Sequence, residues 1–333
     1  MTMLSDSALN RLRVAADVPD LSDTRYRLLD KLGQGGMGSV YRVEDSVLKR
    51  QVALKVISFE DGNGEHAARL MREARVIAQL EHPGIVPVHD VGTLPDGRVF
   101  YAMKLVQGLD LEHHLIHSGT LAVRLRLFQK ICEAVSFAHA HGVLHRDLKP
   151  QNIMVGPFGE VLVMDWGLSK IVNQDNAAEN TRQEEASPEI ASLSRTASST
   201  SDVKTAHGAV LGTPGYMAPE QTHGNSQALD QRADIYSLGA ILNFLLSSGL
   251  SERTPRALTA IANKAMSEDP AARYSTVQRL EDDTSRFLDG LPVTAYPESI
   301  LVRAWRWAVR NRAWILLTVA YLVMRMLLIL WRQ

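Results

Sequence analysis

Apolar and β-branched residues in the first third of the chain fall mainly in runs of strand length. Residues 26–59 hold three strand-length runs, YRLLDKL, SVYRVED and QVALKVI, rich in β-branched and apolar residues. Residues 64–80 switch to helical spacing, which places Leu70, Ala74 and Ile77 on one face. HPGIVPVHDVGTL and GRVFYAMKLV then predict two more strands, joined by a Pro-Asp-Gly turn. A sheet with one helix is therefore expected here.

Beyond Gly108 the pattern becomes mainly helical. LAVRLRLFQKICEAVSFAHAHG predicts a long amphipathic helix that ends at Gly142. DIYSLGAILNFLLSS predicts a buried helix, and PRALTAIANKAMSEDP and STVQRLEDDTSRFL continue with helical spacing. Because strands come first and helices follow, we expect an α+β protein with two lobes of different class.

Two stretches depart from this pattern. Residues 173–206 are rich in Ser, Thr, Asn, Glu and Ala, and they cannot bury enough apolar surface to order themselves alone. Residues 313–331 form a largely apolar run with a single charge, Arg325. At about 1.5 Å per residue they approach the ~30 Å thickness of a bilayer core. They predict a transmembrane helix, and the alternative is an amphipathic or core helix that caps the domain.

Charge and cysteine content narrow the partners and the location. The formal net charge of −1 gives no support to a nucleic-acid partner. Cys132 is the one cysteine, which fits a reducing cytosol, and the N-terminus lacks the apolar run of a signal peptide. Four arginines precede residues 313–331, namely Arg303, Arg306, Arg310 and Arg312. The positive-inside rule therefore predicts a single-pass membrane protein whose main body is cytoplasmic.

A glycine cluster stands between the first two predicted strands. Gly33, Gly35 and Gly38 lie in LGQGGMGSVY. Glycines let a backbone approach phosphates closely and donate N–H groups to them, although this pattern also marks dinucleotide-binding folds. Because the cluster joins two strands and not a strand and a helix, it favours a hairpin that covers phosphates.

Charged residues form three further groups. Lys55 ends VALK in a predicted buried strand, where an ammonium needs an acid such as Glu73 or an anionic ligand; the alternative is a surface lysine with a packed stem. HRDLKPQN (145–152) offers the acid Asp147, a cation and an amide within a few residues. MDWG places Asp165 after an apolar run, and together with Asn152 it supplies hard oxygen ligands suited to Mg²⁺.

Taken together and in this order, the motifs resemble the eukaryotic-type (Hanks-type) protein kinases found in bacteria. The resemblance runs from about Tyr26 to about Leu288 and includes GTPGYMAPE (212–220) and DIYSLG (234–239). It implies a bilobal fold, with a small β-rich N-lobe and a larger helical C-lobe, to which the apolar run adds one transmembrane helix. The resemblance and the apolar run together predict an arm (1–25), a kinase domain (26–289, with lobes 26–107 and 108–289 and an activation segment 165–220), a basic juxtamembrane linker (290–312) and the membrane helix (313–331).

The resemblance also implies ATP and Mg²⁺ as cofactors. Lys55, held by Glu73, would bind the α- and β-phosphates. Asp147 would accept the proton of the substrate hydroxyl, and Lys149 would stabilise the transferring phosphoryl group. Asn152 and Asp165 would hold Mg²⁺. The residues implied to contact the nucleotide are Leu32, Gly33, Gln34, Gly35, Gly36, Met37, Gly38, Ser39, Val40, Ala53, Lys55, Met103 and Met154.

Further residues receive structural or regulatory roles from the resemblance. Lys149 and Thr213 are typical of the Ser/Thr class. Glu220 and Arg273 would form a buried ion pair, and Asp234 would brace the catalytic loop. Arg146 implies control by phosphorylation of the activation segment, where Thr205 lies nearest the usual position.

Two departures from the family pattern leave alternatives open. Trp166 replaces the usual Phe after Asp165, and the chain between 245–249 and 255–261 is too short for the helix and loops normally found there. An active kinase that acts on protein substrates is the leading hypothesis. A membrane-tethered pseudokinase scaffold is the rival, and GTPGYMAPE disfavours a small-molecule kinase. The expected partners are protein substrates, a membrane through the C-terminal helix and, in a homodimer, a second copy of the chain.

Overall fold

The computed structural model describes residues 18–35, 38–57, 65–115, 119–166, 170–171, 215–222, 230–247, 254–297 and 311–331. The strands are β1 (Tyr26–Gly35), β2 (Gly38–Asp45), β3 (Arg50–Ile57), β4 (Val88–Thr93), β5 (Val99–Lys104), β6 (Leu109–Asp110), β7 (Val143–Leu144), β8 (Ile153–Val155), β9 (Val161–Val163) and β10 (Lys170–Ile171). The helices are α1 (Glu65–Ala78), α2 (Leu111–Leu115), α3 (Leu121–Ala140), α4 (Pro219–Thr222), α5 (Arg232–Ser247), α6 (Arg256–Ala265), α7 (Val277–Leu288) and α8 (Arg312–Trp331), with 3₁₀ turns at Pro150–Asn152 and Pro270–Ala272.

The N-lobe is an antiparallel sheet with the strand order β1-β2-β3-β5-β4, and α1 packs against it. Alternate residues of each strand face opposite sides, so the sheet has two apolar faces. Tyr41, Val43 and Leu54 pack on one face. The other face packs against α1 through Leu70 and Ala74. The five predicted strands and the helix between them are confirmed.

The described end of the predicted N-terminal arm is part of this lobe. Leu21 is buried in the cluster that contains Tyr41, and Arg98 donates a hydrogen bond to the Val18 carbonyl at 3.0 Å. The packed region therefore begins before Tyr26.

The C-lobe is built on α3 and α5, with α6 and α7 packed around them. Its core includes Phe128, Ile131, Leu238 and Leu242, all with no measurable exposure. Cys132 belongs to the same core and is buried, as a packing role predicts. After α3, Gly142 adopts a positive φ of 74°, which suits a glycine at a helix C-terminus.

Short strands frame the loops between the lobes. β6, β8 and β9 form one small antiparallel sheet, and β7 pairs with β10. The motif HRDLKPQN fills the connection from β7 to β8, and Asp165 follows β9. Pairing of these strands therefore fixes both ends of the predicted catalytic loop.

The C-terminal helix α8 exposes large apolar side chains, including Trp314, Leu316 and Leu317. Within the part of the chain that the structure describes, no helix combines the length and the apolar character needed to cross a membrane. The predicted transmembrane helix over 313–331 is therefore not supported, although a helix is present at these residues.

Candidate active site

The loop between β7 and β8 brings Asp147, Lys149 and Asn152 together. Lys149 Nζ lies 2.8 Å from Asp147 Oδ2. The Asn152 side-chain amide donates to the Asp147 carbonyl at 2.8 Å and to Oδ2 at 3.2 Å. One oxygen of the Asp147 carboxylate thus meets both neighbours, which fixes the orientation of the carboxylate.

The buried carboxylate of Asp234, on α5, anchors the backbone of this loop. Asp234 has no measurable exposure and accepts hydrogen bonds from the backbone N–H groups of His145 and Arg146, each at 2.8 Å. His139 Nε2 lies 2.7 Å from the same carboxylate. Burial alone would raise the pKa of Asp234, but the hydrogen bonds from His139 and the backbone lower it below its ordinary value. The predicted brace by Asp234 is therefore present. Arg146, which donates its backbone N–H to Asp234, has a left-handed backbone φ of 69°.

Lys55 lies at the centre of the cleft between the lobes. Its Nζ donates to Glu73 Oε1 and to Asp165 Oδ1, each at 2.9 Å. Burial alone would lower the pKa of Lys55, but the charges of Glu73 and Asp165 raise it above its ordinary value. The side chain is only 12% exposed, so the alternative of a surface lysine is wrong.

Asp165, two residues after β9, has a left-handed backbone conformation with a φ of 58°. A non-glycine residue held in this region marks local strain, which is common at functional sites. Burial would raise the pKa of Asp165, but the ammonium of Lys55 lowers it below its ordinary value. The carboxylate therefore stays ionised beside the cleft.

Trp166 anchors the segment that carries Asp165. Its ring is completely buried, its Nε1 donates to the Val163 carbonyl at 3.3 Å, and its centroid lies 4.6 Å from that of His145. His145 in turn hydrogen-bonds the Met164 carbonyl at 2.9 Å. The large ring at this position thus joins the two loops that carry Asp147 and Asp165.

The donor set fits Mg²⁺. The Asn152 amide nitrogen faces Asp147, so its carbonyl oxygen remains for another partner, and the Asp165 side chain is about half exposed. Among the described residues, no group of three or more His, Cys, Asp or Glu side chains could hold a metal ion. Two hard oxygens suit Mg²⁺, which keeps several waters and is usually completed by substrate phosphates.

The glycine cluster forms the hairpin that its position predicts. Gly33 pairs with Val40, Gln34 with Ser39, and Gly35 with Gly38 across β1 and β2, while Leu32 lies half exposed on β1. A Cβ at Gly33 or Gly35 would meet nothing within 4 Å, so packing does not explain these glycines. A Cβ at Gly38, whose φ is 153°, would collide with the Val56 carbonyl. Gly36 and Met37 lie outside the described residues.

Apolar side chains next to this hairpin form one cluster. Val40, Ala53 and Met103 pack together, and Ala53 and Met103 are direct register partners on β3 and β5. Met154 lies on β8 and is partly buried. Such a surface, beside phosphate-binding groups, can hold a flat aromatic base.

The segment before α5 is tied to the C-lobe by a bidentate ion pair. Arg273 Nη1 and Nη2 lie 2.6 and 2.8 Å from the two carboxylate oxygens of Glu220. Gln221 Nε2 donates to the Arg146 carbonyl at 3.0 Å, which links this segment to the catalytic loop. The predicted pair is present, but only Arg273 is buried and Glu220 is partly exposed. Thr205 and Thr213 lie outside the described residues.

Three contacts of this site were not predicted from the sequence. His139 supports Asp234, Gln221 supports the catalytic loop, and the Tyr101 hydroxyl donates to Glu73 Oε1 at 2.6 Å. Tyr101 lies within an unbroken run of buried strand residues, Phe100 to Met103, so no local signal singles it out.

Comparisons with known proteins agree with this geometry. Residues 26–290 match the family described as protein kinase domain. The chain is 34% identical over 315 residues to serine/threonine-protein kinase PknD of Chlamydia felis. The matched region covers 83% of this chain and 32% of that protein. The chain is 35% identical over 305 residues to PknD of Chlamydia muridarum, covering 80% and 32% respectively.

A solved structure gives the same fold. The Mycobacterium tuberculosis PknI kinase domain is 26% identical, with a TM-score of 0.53, and the match covers 79% of this chain and 96% of that one. This chain spans about a third of the length of the curated relatives it matches. Because the family match covers well over half of the chain, and the fold and the cleft agree with it, this chain belongs to the protein kinase domain family.

Proposed function

We propose that this chain is an ATP- and Mg²⁺-dependent kinase that phosphorylates serine and threonine residues of proteins. The observation that carries the proposal is the pairing of Lys55 with both Glu73 and Asp165 at 2.9 Å. This pairing joins α1, β3 and the segment after β9 around one cation. The similar chlamydial proteins are named serine/threonine-protein kinases, which supports the same chemistry here.

Phosphoryl transfer depends mainly on positioning and electrostatic stabilisation. Lys55 binds the α- and β-phosphates of ATP, and the absence of side chains at Gly33 and Gly35 lets the β1–β2 hairpin approach them closely. Val40, Ala53 and Met103 provide the apolar surface for the adenine. Asn152 and Asp165 hold Mg²⁺, which neutralises phosphate charge when bound.

Asp147 and Lys149 act on the reacting atoms. Asp147 orients the substrate hydroxyl and takes its proton as the hydroxyl oxygen bonds to the γ-phosphorus. The bond from that phosphorus to the bridging oxygen of ADP breaks in the same exchange. Lys149, whose Nζ is 2.8 Å from Asp147 Oδ2, stabilises the charge on the transferring group.

The choice of Ser/Thr over Tyr rests on Lys149, two residues after Asp147, and on Thr213 in GTPGY. We also propose that the enzyme phosphorylates its own activation segment, with Thr205 as an acceptor. Arg146 then pairs with the new phosphate by a charge-assisted hydrogen bond.

The direct test is phosphate transfer from labelled ATP by the purified full chain, with a basic protein as substrate. We expect label on serine and threonine, and its loss when EDTA removes Mg²⁺. Label on tyrosine alone would refute the proposed specificity for serine and threonine. Nucleotide binding without transfer in the presence of Mg²⁺ would refute the enzymatic function.

We further propose that α8 attaches the kinase to a membrane, with the kinase domain on the cytoplasmic side. The support is the exposed apolar surface of α8, which includes Leu317 at 63% and Leu327 at 58% exposure, together with Arg303, Arg306 and Arg310, which precede it and are attracted to anionic lipids of the cytoplasmic leaflet. The full chain should float with vesicles of phosphatidylethanolamine and phosphatidylglycerol. A Leu317→Asp/Leu327→Asp variant should float less, and a wild-type chain that stays in the dense fraction would contradict the proposal.

A further inference from the structure

The pairing of β3 with β5 sets an aromatic side chain beside Lys55. Lys55 and Tyr101 are direct partners in the antiparallel register, so their side chains project from the same face of the sheet. Lys55 Nζ lies 5.7 Å from the centre of the Tyr101 ring. Tyr101 therefore lies next to both Lys55 and the Glu73 side chain of α1.

The Tyr101 hydroxyl is a second donor to the Glu73 carboxylate. It donates to Glu73 Oε1 at 2.6 Å, and Lys55 donates to the same oxygen at 2.9 Å. Tyr101 is 1% exposed and Glu73 is 2% exposed, so water is not available to replace either donor. Burial and the nearby Glu73 charge raise the pKa of Tyr101, so the phenol keeps its proton and remains a donor.

Lys55 and Tyr101 differ in the number of groups to which they donate. Lys55 is shared between Glu73 and Asp165, and in the proposed reaction it must also meet phosphate oxygens. The Tyr101 hydroxyl is committed to Glu73. It can therefore hold the carboxylate, and through it α1, while Lys55 changes partners.

We propose that Tyr101 is a positioning residue that acts through Glu73 to keep Lys55 aligned for phosphoryl transfer. The proposal rests on the kinase function proposed above. The competing explanation is that Tyr101 only fills the apolar cluster that it shares with Leu70 and Ala74. Packing needs only the aromatic ring, whereas positioning of Glu73 needs the hydroxyl. A variant that keeps the ring and lacks the hydroxyl therefore distinguishes the two explanations.

The test is Tyr101→Phe in the full chain. A hydrogen bond to a charged group contributes enough that kcat should fall roughly tenfold or more. The KM for ATP should change by less than about threefold, because most of the nucleotide contacts remain. An unchanged kcat would overturn the proposal.

Tyr274→Phe is the matched control. The Tyr274 hydroxyl is also buried and donates to a carboxylate, that of Asp283, at 2.9 Å. This pair joins the residues just before α7 to the middle of α7, within the C-lobe and far in sequence from α1. Both variants should lose some thermal stability, but only Tyr101→Phe should lose kcat.

Two further measurements decide whether Tyr101 acts through Glu73. In a Glu73→Gln background, Tyr101→Phe should cause little additional loss of kcat, whereas a full additional loss would refute the coupling. Amide hydrogen exchange in α1 should be faster in Tyr101→Phe than in wild type and unchanged in Tyr274→Phe. This exchange measurement needs no activity, so it tests the Tyr101 contact even if the wild-type chain proves inactive and the proposed function fails.

Discussion

Asp147→Asn is expected to reduce phosphoryl transfer by about 10²- to 10⁴-fold, the range typical of a lost general base. The amide keeps the shape of the side chain but cannot accept the substrate proton. Lys149 and Asn152 both contact Asp147 Oδ2, so the variant also tests whether charge at that oxygen matters. Initial rates with labelled ATP measure the effect, and equilibrium binding of a nucleotide analogue should be retained.

Asp282→Asn is the matched control, because Asp282 is an exposed carboxylate on α7. It should leave the rate unchanged and thereby show that loss of one negative charge is not the cause. An Asp147→Asn variant that retained more than a tenth of the wild-type rate would contradict the role proposed for Asp147.

Arg273→Met is expected to lower the free energy of unfolding by about 3 kcal/mol, the lower end of the cost of breaking a buried ion pair, because Arg273 is buried whereas Glu220 is 27% exposed. Arg273 is 5% exposed and makes two contacts of 2.6 and 2.8 Å to Glu220. It also donates to the carbonyls of Ser267 at 2.7 Å and Arg232 at 2.9 Å. All of these acceptors lose their donor in the variant. Urea unfolding followed by far-ultraviolet circular dichroism gives the change.

Two companion variants define the origin of that loss. Arg279→Met removes an exposed arginine and should change the stability by less than about 0.5 kcal/mol. Arg273→Met/Glu220→Leu should recover part of the loss, because it removes the carboxylate that would be left unpaired. Equal stability of Arg273→Met and wild type would show that the pair does not hold this segment.

Sequence patterns were sufficient where a signal is local. Strand-length apolar runs and a Pro-Asp-Gly turn predicted β1 to β5, and helical patterns predicted α1, α3 and α5, because each signal depends on residues close together in the chain. The motif HRDLKPQN keeps Asp147, Lys149 and Asn152 within a few residues, so their proximity followed from the sequence. The Lys55–Glu73 contact was predicted from the resemblance and the need of a buried ammonium for an acid.

Contacts that depend on strand register or helix docking were not predictable in this way. Tyr101 reaches Glu73 only because β3 and β5 pair with Lys55 opposite Tyr101. His139 reaches Asp234 only because α3 crosses α5 at that point. The membrane helix predicted from the apolar run was not supported, because no helix in the described part of the chain is both long and apolar enough to cross a membrane.

The helix α5 has a consequence for genetic screens. It holds the catalytic loop through Asp234, the Tyr216 carbonyl through Ser237, and α3 through the Leu245 carbonyl, which accepts from Arg124. None of these α5 groups has a proposed contact with ATP. A screen for inactive alleles should nevertheless return substitutions along α5 as readily as in HRDLKPQN. Such alleles would be mistaken for active-site lesions unless the abundance of the folded protein was measured beside the phenotype.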